Sequence, residues 1–580
     1  MRRAVAVVPF GARSADPRAG AWGRQLARRL VDAFADHETL ELKPVFLVAM
    51  GDQPAEAGYL VFGSTPDPAL AAQYGASLGT THALVGVLRA DGPDRALEVT
   101  LVDVAARRGT ATLVHPIAPG ALAGAEPALA SWLAAALGAD APPPAPPMAE
   151  PAYAALLEGM DEEVNATLLS ASDVRAAAEA RGRAAARYLG ALRADPAAAA
   201  AEDRLLVLAA ESLERGDEAT FVEPLETLTD LAPRSWRGHY LLGELRRLSG
   251  DASGAVVALE HSDALHPLRD ADSIRLAELY VDAGAQSSAR SRLRRIKPGS
   301  TEYAHAQDVI GVLALQRGDL DEAAAAFERA LEAGSRDGAT IARLAHVLAA
   351  KGDVARAIER YRESLALVES GDTRLGLARA LVTAGDRDAA LSELEAVLRG
   401  TTIGETAANA RRLLLGLRRH DLEEQLERAG QVAVAGPDEA LPSALAELDT
   451  VVAAEPALWE AHFARGLIAR RRGDPGAAER AFTRVLELWP DQPDALHELG
   501  VALLMAERTT DAVPLLDAAA RLRPEDAGYI ADAGFAQLRA GNLPAARERL
   551  AIASELDADD PITKAYLLEL ARVETAGRPN

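Results

Sequence analysis

The 580-residue chain holds eleven histidines and no cysteine. Without a thiol there is no disulfide, no thiolate nucleophile and no cysteine-ligated zinc. The nearest histidines are His261 and His266, five apart, with Asp263 and Asp270 close by. Side chains share a helix face at spacings of three or four, so this group reads as a helix end and not as a metal site. Neither a His-Glu-x-x-His pair nor a glycine-rich phosphate loop closing on Lys-Ser/Thr occurs. The acidic run Asp161-Glu162-Glu163 reads as compensation of a helix amino terminus or as solvated charge. The runs Arg292-Leu293-Arg294-Arg295 and Arg470-Arg471-Arg472 read as solvated cations at helix ends. No set of residues suits a nucleophile, an acid–base pair or a cofactor. The expectation is a chain that is not an enzyme, with no cofactor and no metal.

Charge and hydropathy narrow the partners. A net charge of −24 at pH 7 opposes a nucleic-acid backbone, which leaves protein or peptide as the expected partner. Apolar residues make up 49% of the chain, too many for a disordered acidic polymer. No apolar run is long enough to cross a membrane, so no membrane partner is expected. Met1-Arg2-Arg3 leads into a short apolar run without a small-residue cleavage site. The cytoplasm is therefore the expected compartment, with the periplasm as the alternative should the true start lie elsewhere.

The elements that position these residues follow from a period. Gly216, Gly250, Gly284, Gly318 and Gly352 are spaced 34 residues apart, and all but Gly284 precede an aspartate. A unit of that length is a helix–turn–helix that cannot bury its apolar face alone, so the units must stack. The stretch 459–492 carries Gly466, Gly473, Asp474, Ala478, Phe482, Leu486 and Pro490. The next carries Gly500, Ala512, Leu516, Ala520 and Pro524 at the same offsets, and a third carries Gly534, Gly541, Asn542, Ala546 and Leu550. The first small residue permits close helix crossing, and the Gly-Asp pair ends one helix and opens the next. The large residue fills the layer between helices.

These offsets resemble the tetratricopeptide repeat. In 304–337 the matches are Gly311, Gly318, Asp319, Ala323, Phe327 and Ala330; in 338–370 they are Gly352, Asp353, Ala357 and Tyr361. The resemblance implies an all-α solenoid of antiparallel helix pairs in a right-handed superhelix. Units start near 202, 236, 270, 304, 338 and 371, giving repeats over 202–403 and again over 459–580, where a last helix near 561–575 caps the end. The stretch 152–201 reads as a degenerate capping pair. The stretch 404–458 reads as an irregular helical connector, with Gly430, Gly436, Pro437 and Pro442 interrupting its first helix and disturbing the curvature.

Residues 1–138 have another pattern. Val5 to Phe10 is a short apolar strand, Trp22, Leu26, Leu30 and Phe34 mark a helix, and strands are expected at 82–89, 96–104 and 110–116. A further apolar segment is 42–49, short and long helices fall at 69–78 and 122–137, and Asp91-Gly92 is a hairpin turn. This is a small α+β domain, followed by a proline-rich, semi-rigid linker over 139–151. Ala6-Val7-Val8-Pro9-Phe10, Leu78 to Val87 and Leu97 to Asp103 resemble the TolB amino-terminal domain, with Arg107-Arg108-Gly109 as the final turn. That resemblance implies a docking or ligand-sensing domain.

In tetratricopeptide proteins the groove is lined mostly by the first helix of each pair. Carried onto this chain, that implies Arg237, Tyr240, Glu244 and Arg247 in one unit. It implies Glu460, Phe463, Leu467, Arg470 and Arg471, then Asp494, His497, Val501, Leu504 and Met505, in two later ones. Their mixed apolar, Arg and Glu character suits an amphipathic helix or an extended peptide. Arg470, Arg471 and His497 are expected to serve partner binding more than stability. The expected function is an interaction scaffold or co-regulatory adaptor. The alternative is a sensor whose amino-terminal domain binds a small molecule while the repeats relay to a partner.

Overall fold

The computed structural model describes residues 3–45, 48–49, 58–59, 68–91 and 94–576. The chain forms two compact units, 1–295 and 296–580.

The first unit opens with a mixed sheet. Its strands are β1 (Arg3–Val7), β2 (Gly11–Arg13), β3 (Leu40–Pro44), β6 (His82–Arg89), β7 (Ala96–Asp103) and β8 (Arg108–Pro116). A separate antiparallel pair is formed by β4 (Val48–Ala49) and β5 (Gly58–Tyr59). The sheet order is β3-β1-β6-β7-β8, with β2 on β6. β1 runs parallel to β3 and β6, and β6-β7-β8 is an antiparallel meander. The expected strand from Val5 to Phe10 ends at Val7, and the short β2 begins only at Gly11; Pro9 between them has no N–H to give the ladder. Phe10 turns inward at 1% exposure. Gly92 of the expected hairpin turn and parts of the segment 42–49 lie outside the described residues. Arg107, at φ +50°, makes the last tight turn, and Arg108 and Gly109 already belong to β8.

Alternation along the strands gives the sheet two apolar faces. On one, Val5, Val7, Leu84 and Leu97 pack with α1 (Ala19–Ala33) and α3 (Ala125–Ala136). On the other, Ala6, Val8, Val85 and Val102 meet Ala71 and Ala72 of α2 (Pro68–Ser77).

Residues 137–149 then lead to a long hairpin, α4 (Glu150–Leu169) and α5 (Val174–Ala194). The segment is not a spacer between independent bodies. Ala152, Tyr153, Leu156, Leu157 and Met160 of α4 share one core with the sheet domain and with the helices up to Ala258. Helix pairs follow: Ala199–Arg215 with Val222–Leu231, Trp236–Leu248 with Ala252–Leu265, and Asp270–Asp282 with Gln286–Leu293.

The second unit continues with Tyr303–Gln316 and Leu320–Glu332, Gly338–Ala350 and Val354–Leu367, and Gly371–Thr383 and Arg387–Gly400. Helices Glu405–Arg418, His420–Ala435 and Leu441–Ala454 fill the stretch expected to be irregular. Gly430 lies inside an unbroken helix; Gly436 ends that helix, and Pro442 sits in the first turn of the next, where a missing N–H does no harm. Then come Trp459–Arg471 with Pro475–Leu488, Pro493–Met505 with Thr509–Leu522, Ala527–Arg539 with Leu543–Leu556, and the closing helix Pro561–Ala576. The architecture is a small α/β domain followed by a long all-α solenoid of stacked helix pairs.

Two local devices recur through the pairs. The turn aspartate caps the second helix: Asp319 accepts from Glu322 N at 3.0 Å and Asp474 from Ala477 N at 2.9 Å. The glycine before it carries a positive φ, as at Gly318 (74°) and Gly473 (73°). The second device is the close crossing. A Cβ placed on Gly466 would lie 2.5 Å from the Phe482 ring, and one on Gly311 would lie 2.5 Å from Phe327. Both rings are fully buried.

Candidate partner-binding groove

In the unit that begins at Trp236, three of the four expected groove residues, Tyr240, Glu244 and Arg247, join one ionic network. Glu244 and Asp272 are 5% and 4% exposed. Arg247 and Arg275 donate to Glu244 at 3.1 and 2.9 Å. Arg269, Arg275 and the Tyr240 hydroxyl donate to Asp272 at 3.0, 2.8 and 3.0 Å. Burial, then the Asp272 charge, pushes the Tyr240 hydroxyl above its ordinary range. The network ties the first helices of neighbouring pairs together, because a buried carboxylate left unpaired is costly. Arg237 is separate and pairs with Asp203 at 3.1 Å on the surface.

The later residues divide in the same way. Leu467, 8% exposed, belongs to the core; Phe463, whose ring centroid lies 5.5 Å from that of Phe482, and Val501 are partly buried against it. Arg471 donates to the carbonyls of Val432 and Gly436 at 2.8 and 2.6 Å and to Asp438 at 2.6 Å. It closes the carboxy-terminal end of helix His420–Ala435. Arg470 Nη1 lies 2.7 Å from Glu498 Oε2. His497 bonds Asp532 at 2.8 Å and stacks on Tyr529 with ring centroids 4.2 Å apart. Asp494 accepts from the Tyr529 hydroxyl at 2.6 Å. Arg470, Arg471 and His497, expected to serve partner binding more than stability, thus also have partners within the fold. Glu460 differs: its Oε2 is buried with no hydrogen-bond partner among the described residues, and burial pushes its carboxyl up to about 7.

A candidate site that the sequence reading passed over lies one sub-array earlier. A cavity of about 420 Å3 opens across helices Gly338–Ala350, Gly371–Thr383 and Glu405–Arg418. His346, Arg379 and Asn409 line it with Leu315, Leu375 and Tyr361. Those three polar side chains have no hydrogen bond or ion pair among the described residues, whereas Arg343 beside them is held by Asp308 at 2.9 Å. The signal was present: the offsets applied at 459 and 493 give Ala342 and His346 when counted from 338, and Asp372, Leu375 and Arg379 when counted from 371.

Other candidates have structural roles. Asp161 is 6% exposed in the middle of α4, not at a helix start, and binds Arg24 at 2.6 Å and Gln25 at 3.0 Å. With the Trp22 indole, which donates to Glu158 at 3.1 Å, it locks the sheet domain onto the array. Arg292 is 9% exposed and pairs with Asp263, so it is not a solvated helix end. His261 bonds the Val257 carbonyl at 2.8 Å, and His266 stacks on Trp236. Gly75-Ala76-Ser77-Leu78-Gly79 has the spacing of a nucleophile elbow, which the sequence reading missed. Ser77 ends a helix there instead of joining a strand to one, and its hydroxyl donates to Gln73 O at 3.1 Å. Among the described residues no three His, Asp or Glu side chains are grouped to hold a metal, and no helix is long and apolar enough to cross a membrane.

The tetratricopeptide repeat profile matches residues 309–372 and 463–527. Over 130 residues the chain is 36% identical to the TPR repeat-containing protein PA4299 of Pseudomonas aeruginosa, covering 22% of this chain and 51% of that protein. The chain thus spans about half the length of that curated relative. Among solved structures, Pseudomonas aeruginosa pilF is 18% identical with a TM-score of 0.30, covering 35% of this chain and 94% of its own. The carboxy-terminal part of a TPR repeat-containing protein from Cytophaga hutchinsonii is 14% identical with a TM-score of 0.32, covering 51% of this chain and 99% of its own. The protein carries tetratricopeptide repeats behind an amino-terminal α+β domain.

Proposed function

We propose that this chain is a non-enzymatic scaffold or assembly adaptor that holds a peptide or helix of a protein partner in the solenoid groove. Tetratricopeptide solenoids generally serve as protein-interaction modules. The observation that carries the reading here is the cavity across 338–409, where His346, Arg379 and Asn409 have no partners among the described residues and lie beside Leu375 and Tyr361. Unengaged polar groups around an apolar floor are what a recognition site keeps available. We further propose that the amino-terminal domain docks a second component in the manner of TolB amino-terminal domains; the support is the sequence likeness of segments 6–10, 78–87 and 97–103. The sensor alternative is not favoured. The cavity at the ends of β1 and β3, between Val7, Pro9, Val45 and α1, holds about 40 Å3, far below the roughly 300 Å3 of small-ligand pockets.

The test is comparative cross-linking capture from native lysate with the full chain and with H346A/R379A/N409A. A protein captured by the parent and lost by a variant of equal melting temperature supports the groove. Identical capture by both moves the binding face elsewhere.

A further inference from the structure

A second cleft lies on the opposite side of helix Trp459–Arg471 from the groove. At about 100° per residue, Glu460, Phe463, Leu467 and Arg470 fall on one face of that helix and His462, Arg465, Ala469 and Arg472 on the other. The cleft holds about 590 Å3, the size of a pocket that takes several side chains. Its floor is apolar, from Leu445, Ile468 and Ala481, and its rim carries Arg465, Arg472, Arg480 and Arg484. Only Asp474 lines it with the opposite charge, and that carboxylate is occupied in capping Ala477 N at 2.9 Å.

Four guanidinium groups in one cleft stand out on a chain of net charge −24. Arg465 pairs with Asp449 at 3.2 Å and Arg484 with Glu487 at 2.6 Å, and both acids are more than half exposed. Arg472 and Arg480 are exposed with no hydrogen bond or ion pair among the described residues. The local field is positive: His462, in the wall, is held below its ordinary pKa first by burial and then by Arg465 and Arg484. Arg411, on a neighbouring helix, is likewise lowered by burial and then by Arg484. Two further like charges, on Arg472 and Arg480, added to these without counter-charges of their own among the described residues are unfavourable for folding alone. An arginine fork matches a carboxylate with two parallel N–H donors.

We propose that this cleft, formed by helices Leu441–Ala454, Trp459–Arg471 and Pro475–Leu488, binds an acidic peptide segment of a protein partner. Aspartate or glutamate side chains meet Arg472 and Arg480 while an aliphatic residue rests on Ile468 and Ala481. Charge complementarity selects that occupant. A nucleic acid would meet the same arginines but be repelled by the rest of the chain. The site is independent of the groove reading, since it uses other residues on the opposite helix face.

The test uses the full chain and a fluorescein-labelled peptide of alternating Glu-Glu-Leu triplets, followed by anisotropy. Saturable binding is expected, weakening as salt rises because exposed charges are screened. The charge reversal R472E/R480E should weaken it by about tenfold or more with an unchanged melting temperature, and H346A/R379A/N409A should leave it intact. R472Q/R480Q, which adds no repulsion, should fall between parent and reversal. No saturable binding by the parent overturns the proposal. So does equal binding by the reversal, or parent binding that inorganic phosphate or a single-stranded oligonucleotide displaces more readily than unlabelled peptide. Self-association of the parent that the reversal abolishes, without peptide binding, would also overturn it in favour of a second copy as occupant.

Discussion

At the scale of single residues, two positions carry a cost that substitution should relieve. Glu460 has a carboxyl pushed up to about 7 by burial, with its Oε2 unpartnered. A folded-state value above the unfolded one, near 4.5, favours the protonated form in the native state. Its stabilising contribution is therefore complete below pH 4.5 and is lost as pH rises through 7. E460Q should flatten the stability profile between those limits and raise stability at pH 8 by on the order of 2 kcal/mol. Urea melts of parent and variant at pH 5 and pH 8 would show it; parallel profiles would refute it. Glu507 holds a φ of +61° where most other units place glycine. A side chain in that conformation is strained by about 1–2 kcal/mol, partly offset by the greater chain entropy of glycine. E507G is therefore expected to stabilise by about 0.5–1 kcal/mol, readable as a higher denaturation midpoint.

At the scale of helices, stability resides in the crossings and in the caps between neighbours. Phe482 is fully buried, and its ring fills the space that Gly466 leaves open. F482A should cost roughly 3–5 kcal/mol. The loss should spread first to adjoining pairs, since each repeat leans on its neighbours. Hydrogen exchange would show it as early opening of helices around 459–522; unchanged protection there would deny Phe482 a packing role. The triple variant R470A/R471A/H497A is expected to melt below the parent. Arg471 alone holds carbonyls of Val432 and Gly436 and the Asp438 carboxylate. Losing partly buried bonds of this kind costs roughly 1–3 kcal/mol. A calorimetric melt matching the parent would return these residues to a purely partner-facing role.

At the scale of the whole molecule, the boundary near 150 is covalent more than physical. α4 presents Tyr153, Leu156, Leu157 and Met160 to the core it shares with the sheet domain. Glu126 accepts from Arg29 at 2.5 Å and from the Tyr153 hydroxyl at 2.6 Å, which pins the contact. An array beginning at 152 would uncover that face, and contiguous apolar patches promote association. Such a fragment should aggregate, or melt well below the full chain, in light scattering and calorimetry. A monomeric fragment with the parental midpoint would show that the sheet domain is dispensable for the array. The full chain is accordingly the right bait for partner capture.

What the sequence determined by itself was local. The 34-residue period, the glycine at the left-handed turn and the capping aspartate act locally, so helix positions over 236–403 and from 459 onward were legible, as were strands His82–Arg89 and Ala96–Asp103; the helices of 404–458, which lack that period, were not. Even there the rule had exceptions: Asp217 follows a turn glycine but takes Arg181 at 2.9 Å and caps no helix. The roles of charged side chains were decided by tertiary structure. Asp161 looks like a solvated acid until Arg24, 137 positions away, is brought to 2.6 Å. Arg471, expected in the groove, gains a second role once the helix end at Gly436 is set beside it. Which of two exposed-looking arginines is engaged and which has no partner among the described residues, as with Arg471 and Arg472, depends on what neighbouring helix end lies within reach. Spacing along the chain specifies the face a residue occupies, but only the fold supplies what lies opposite that face.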